Sequence, residues 1–204
     1  QNPCDDLIIS GPSYDLPTTN QGRLHVYLGS TTGLGAPQFL SSGSNNSNMG
    51  ISLAKAEDIN GDGFTDIVAG APFYSGTVNQ EGGAFIFYGS AAGLGTPPTV
   101  VFAGGSNSLT GAAVAAGDVN NDGYTDVILG AEDFTSPEAS EGRVLVFQGR
   151  ASGISTTAVS AYESNTVDAF LGYNVASGTD LNGDGIDDVL AGARAYSELG
   201  GPLV

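Results

Sequence analysis

The pattern Asp-x-Asn-x-Asp-Gly-x-x-Asp occurs three times in this chain, at Asp58–Asp66, Asp118–Asp126 and Asp180–Asp188, in steps of 60 and 62 residues. Each copy runs straight into an apolar stretch, Ile67–Gly70, Val127–Gly130 or Val189–Gly192, and a further such run, Leu7–Ser10, lies 60 residues before the first. A second register repeats in step with it: Gly22–Gly29, Gly82–Gly89 and Gly142–Gly149, each followed by a short stretch around Gly33, Gly93 or Gly153. Repetition at one fixed period means one supersecondary unit stacked on copies of itself.

The unit holds at least four short strand candidates. In its first complete copy these are Ile51–Glu57, Thr65–Gly70, Gly83–Tyr88 and Pro98–Phe102. No stretch sustains a helical period. The strands are apolar at nearly every position, as sheets covered on both faces require. Gly (32) and Pro (9) are frequent among the 204 residues, which suits short strands joined by tight turns. The expected fold is therefore all-β: a β-propeller of four-stranded antiparallel blades, about three and a half of them. A parallel β-helix has a much shorter period, and a β-sandwich does not repeat its turn chemistry at this spacing. The expected division is a partial blade 1–48, blades 49–109 and 110–170, and a partial blade 171–204. Gln1–Asp6 aligns with the second half of a loop, with Asn2 at position five and Asp6 at position nine, and Gly201–Val204 aligns with the start of a third strand. A segment of a longer propeller, or one part of an assembly, is expected.

The loop chemistry points to calcium, a hard cation that takes six to eight oxygen ligands. Side-chain oxygens come from positions one, three, five and nine: Asp58, Asn60, Asp62 and Asp66; Asp118, Asn120, Asp122 and Asp126; Asp180, Asn182, Asp184 and Asp188. Position seven varies (Phe64, Tyr124, Ile186), as it should if only its backbone carbonyl binds. Position six is always glycine, where the turn is sharpest. An EF-hand requires Glu at position twelve, but Ala69, Leu129 and Ala191 stand there. Magnesium keeps several waters rather than enter an all-protein cage, and no Cys/His cluster invites zinc. A bare hairpin turn would not place Asp at positions one, five and nine, where the carboxylates repel one another. Three Ca2+ sites are expected.

Charge agrees. Against 22 acidic residues there are only five Lys and Arg, a net charge of −17. Such a surface repels phosphate backbones and anionic lipid, so no nucleic-acid partner is expected, and no apolar run approaches the roughly 18 residues of a membrane helix, so no direct membrane insertion is expected. The one cysteine, Cys4, can form no disulfide within the chain. Asn45-Asn46-Ser47 is an N-glycosylation sequon in a Ser/Gly/Asn-rich loop.

These residues resemble the FG-GAP repeats of the integrin α-subunit propeller. Phe-Gly is replaced by Met49-Gly50, Thr110-Gly111 and Leu171-Gly172; Gly70-Ala71-Pro72 is intact, and Gly130-Ala131-Glu132, Gly192-Ala193-Arg194 and Ser10-Gly11-Pro12 are altered forms. The resemblance spans essentially the whole chain and implies a seven-bladed propeller with calcium loops on one face and ligands on the other. The ligand-side loops would be Phe73–Glu81, Asp133–Glu141 and Ala195–Gly200, with Tyr74, Phe134 and Tyr196 as exposed aromatic candidates.

Three functions compete. One is an extracellular or cell-surface calcium-stiffened module that recognises a protein or glycan in adhesion. The alternative is a building block of an extracellular fibre or surface assembly, its blade edges pairing with neighbouring copies. Catalysis is not expected: His25, the lone histidine, aligns with the strand residues Phe85 and Leu145, and no Ser/His/Asp set or phosphate-cradling loop is present.

Overall fold

The computed structural model describes residues 4–15, 17–102 and 105–197, which form strands and turns without any helix. Gly201–Val204 and Asn2 lie outside the described residues, as does the end of the loop expected at Ala195–Gly200. In chain order the strands are β1 (Leu7–Gly11), β2 (Arg23–Tyr27), the hairpin arms β3 (Gly29–Ser30) and β4 (Gly33–Leu34), and β5 (Gln38–Ser41). Next come β6 (Leu53–Ala56), β7 (Asp66–Gly70), β8 (Ala84–Phe87) and β9 (Thr99–Val101). The rest are β10 (Ala113–Gly117), β11 (Asp126–Ala131), β12 (Arg143–Phe147), β13 (Ser160–Glu163), β14 (Leu171–Ala176) and β15 (Leu190–Ala193). They pair antiparallel as meanders: β1-β2-β5, β6-β7-β8-β9, β10-β11-β12-β13 and β14-β15. The two four-stranded antiparallel meanders have the form of propeller blades.

Strand alternation explains why these strands are apolar throughout. Successive side chains point to opposite faces, and each face meets a different neighbour. Ile67, Ala69, Phe85 and Phe87 meet Leu24, Val26 and Leu40 of the preceding sheet and Met49 from the segment that follows it. Between them, Val68, Ala84 and Ile86 turn the other way and join Val127, Leu129, Leu145 and Phe147. One blade on, Ile128, Val144 and Val146 pack toward Leu171 and Val175. Each fully buried large side chain contributes about 1.5–3 kcal/mol. The same register leaves the outer face of the first sheet open, with Leu7, Ile9 and Phe39 exposed. There His25 pairs across the ladder with Ile9 and Phe39 and meets the Phe39 ring edge-on at 5.0 Å.

Two joints hold neighbouring blades together. The glycine elements form the inner one. Gly111, at φ +87°, donates its N–H to Gly130 O of its own blade at 2.8 Å, while its carbonyl accepts from the Ser52 hydroxyl of the preceding blade at 2.9 Å, and a side chain on Gly70 would overlap that same Gly111 O. The outer joint is polar. Gln38 brackets Leu94 with two hydrogen bonds, 2.6 Å to its O and 3.1 Å from its N, and Ile154 N donates to the Tyr88 hydroxyl at 2.8 Å. Asn45 is exposed, whereas Ser47 is buried and bonded to Gln21 O.

Candidate metal-binding loops

All three Asp-rich loops join the first strand of a blade to the second: β6 to β7, β10 to β11 and β14 to β15. In an antiparallel meander the next connection emerges at the opposite end, so the loops 71–83 and 132–142 lie at the other end of the strands.

Position one organises each loop. Asp58 accepts from Gly61 N and Asp62 N through Oδ1 (2.7 and 3.0 Å) and from Gly63 N through Oδ2 at 2.7 Å. Asp180 does the same with Gly183, Asp184 and Gly185, and Asp118 takes Asp122 N and Gly123 N. Position five holds the exit: Asp62, Asp122 and Asp184 accept from the amides of Phe64, Tyr124 and Ile186 at 2.9–3.0 Å. The Gly185 amide, ahead of its neighbours, holds the Asp180 carboxyl below the usual carboxylate range.

Position nine does structural work as well. Asp66 is fully buried and clamps two segments, accepting from Ile59 N and Gly89 N at 2.8 Å each. Asp126 repeats the clamp on Val119 N and Gly149 N. Asp188 accepts from Leu181 N at 2.8 Å, and Asp6 accepts from Gly29 N at 2.8 Å, as the partial loop alignment expects. Burial raises the Asp66 carboxyl, which also feels Asp62 and Asp58, while the Gly89 and Ile59 amides oppose the rise. For Asp126 the same balance ends at about 6, burial again leading.

The donor set fits calcium: three carboxylates, one carboxamide and one carbonyl per loop, oxygen throughout. A carboxylate has about four lone-pair sites, so one or two amide bonds per oxygen leave capacity for a cation. The second loop adds a direct sign. Asn120 turns its Nδ2 to Asp126 at 3.1 Å, which leaves its Oδ1 buried without a hydrogen-bond partner. In the other two loops Asn60 and Asn182 instead donate to Asp62 and Asp184 and accept from those residues' amides. Among the described residues no three acidic, His or Cys side chains converge into a tight cluster; the carboxylates fan out to loop amides.

The structure corrects one expectation on the opposite face. Phe134 is buried under the Arg143 guanidinium, 3.7 Å from its ring centroid, and Tyr74 meets Phe85 edge-on at 5.3 Å. Of the three aromatic candidates only Tyr196 is exposed. A cation over a ring face is favourable, and Arg23 over Tyr14 and Arg194 over Phe170 repeat the device. These side chains stiffen loops rather than offer surface. Sequence reading also missed position eight, where Thr125 and Asp187 bond to the preceding loop. A position that varies between Thr and Asp carries no pattern to notice.

The FG-GAP repeat profile matches residues 49–87, 110–147 and 171–202. Rat integrin alpha-7 is 31% identical over 152 residues, 73% of this chain and 13% of its own length. Human integrin alpha-6 is 33% identical over 142 residues, 69% of this chain and 12% of its own. Xenopus laevis integrin alpha-5 is 33% identical over 154 residues, covering 70% of this chain and 14% of that protein. The chain thus spans a small fraction of the length of these curated relatives.

Proposed function

Because this chain belongs to the FG-GAP repeat family, we propose that it is an extracellular calcium-binding β-propeller module for adhesion or for recognition of a protein or glycan ligand. The observation that carries this reading is the recurrence, at one corner of three successive blades, of a loop whose position-one carboxylate gathers the amides while oxygens remain at positions three, five, seven and nine. Asp58, Asn60, Asp62, the Phe64 carbonyl and Asp66 would hold the first ion. Asp118, Asn120, Asp122, the Tyr124 carbonyl and Asp126 would hold the second, and Asp180, Asn182, Asp184, the Ile186 carbonyl and Asp188 the third. Bound calcium would neutralise the carboxylates and brace the turn. Its binding free energy then becomes folding free energy. Millimolar extracellular calcium suits such modules, and the net charge of −17 suits a surface that gathers divalent cations.

A rigid platform leaves recognition to the loops on the other end of the sheets, where Tyr196 is the exposed aromatic. The test is calorimetric titration of chelator-treated protein with CaCl2, followed by thermal melts. A site filled at a hundred times its Kd adds about 2.7 kcal/mol, which for a chain of this size is on the order of 5–10 °C in Tm. No heat of binding, together with an identical melt in excess chelator, would remove the calcium assignment.

A further inference from the structure

Position eight of the second and third loops does not serve its own loop; it reaches the loop of the preceding blade. Asp58 N donates to Thr125 Oγ1 at 3.0 Å, and Thr125 N donates back to Asp58 O at 2.9 Å. One blade on, Asp118 N donates to Asp187 Oδ2 at 2.9 Å while Asp187 N donates to Asp118 O at 3.1 Å. Both backbone polar groups of a position-one Asp are therefore held by the next blade.

Two further contacts run the same way. Arg150 N donates to Ile59 O at 3.0 Å. The Tyr124 ring lies over Gly61, so closely that a side chain at Gly61 would strike its edge. Position four of the second loop is Asn121, which keeps the left-handed turn at φ +56°, and position seven of the third loop is Ile186 rather than an aromatic.

Position-one Asp is the residue that gathers its loop's amides, so whatever fixes its backbone fixes where its carboxylate projects. Thr125 sits between Tyr124 and Asp126, two of the five residues whose oxygens would hold the second ion. Ordering the second loop orders Thr125, and Thr125 sets Asp58. We propose that position eight is a positioning residue for the neighbouring blade's ion site: Thr125 for the first loop, Asp187 for the second. The ion sites are consequently coupled, and filling one loop raises the affinity of the loop before it. Coupling of this kind is reciprocal. The inference rests on the calcium reading of the loops.

The chain has no tryptophan, so Phe64→Trp places a unique sensitiser in the first loop. Terbium luminescence excited at the red edge of indole absorption, with calcium as competitor, then reports that loop alone. In this background Thr125→Val is expected to weaken binding at the first loop by about 3–10-fold, the scale of one hydrogen bond, and Thr125→Ser to restore it. Asp122→Ala, an exposed turn position in the second loop, is expected to weaken the first loop as well, although it touches no group there. Thr65→Val, position eight of the first loop itself, is expected to change nothing at that loop. A first-loop midpoint that stays within about twofold in both Thr125→Val and Asp122→Ala, in protein that binds terbium, overturns the coupling and spares the calcium reading. A folded Phe64→Trp protein that binds neither terbium nor calcium overturns both. If Thr125→Val does not fold, the Asp122→Ala arm decides alone.

Discussion

At the scale of single residues, the aspartates of one loop, all offered as cation ligands, divide by how much the folded backbone also depends on them. Asp62 is exposed and its carboxylate serves the turn. Asp66 is buried and satisfies two N–H groups from segments far apart in sequence. Asp66→Ala therefore strands two buried donors, at about 2–4 kcal/mol. The loss is expected in urea melts both with calcium and with chelator. Asp62→Ala is expected to lower stability in calcium and to lose only a small part of it in chelator, where exposed turn hydrogen bonds alone are removed. Equal behaviour of the two variants in chelator would refute the division. Spacing alone exposed all nine loop aspartates in the sequence, because alternate oxygens in a glycine turn have one evident use. It could not reveal the clamp, since the partners of Asp66 and Asp126 include Gly89 and Gly149, each 23 residues away. The aromatics misled for a related reason. Tyr74 and Phe134 follow strands as exposed recognition residues do, and only the tertiary placement of Phe85 and Arg143 shows them covered.

At the scale of elements, the strands of the first complete repeat fall inside the stretches the sequence predicted, with ends that differ by at most two residues: Leu53–Ala56, Asp66–Gly70, Ala84–Phe87 and Thr99–Val101. Apolar runs bounded by glycine and aspartate turns made them readable. The joint between blades was not readable, because a glycine in sequence does not say what approaches it. Gly70 is that case: an added Cβ would overlap Gly111 O and the Ser52 hydroxyl. Gly70→Ala is expected to cost about 3 kcal/mol through forced separation of β7 from the next blade. Gly33→Ala, whose φ is +112° but which faces open space, is expected to cost about 1 kcal/mol from backbone strain alone. Equilibrium unfolding of the pair separates packing from conformation, and equal losses would count against the joint.

At the scale of the whole molecule, burial is graded along the array. Strands β7, β8 and β11 are buried at every position, whereas β1, β14 and β15 show exposed or half-buried residues along most of their length. Local opening free energy follows buried contact density. Hydrogen exchange followed by mass spectrometry is expected to find the slowest amides in β7, β8 and β11, with β14 and β15 faster by orders of magnitude. Uniform protection across the sheets would contradict this ranking. The gradient has a sequence origin only in part: Leu190 and Val68 are both aliphatic strand residues, and only a neighbour's presence distinguishes them.

The hydrogen bonds between successive turns bear on how such arrays grow. Two of these links pair position one of a unit with position eight of the next, Asp58 with Thr125 and Asp118 with Asp187, so a unit carries a position-one half at one side and a position-eight half at the other. Duplicating a whole unit in tandem inserts matching halves on both sides at once. Lineages could therefore lengthen or shorten the series by copying genes in phase, without evolving a new interface each time.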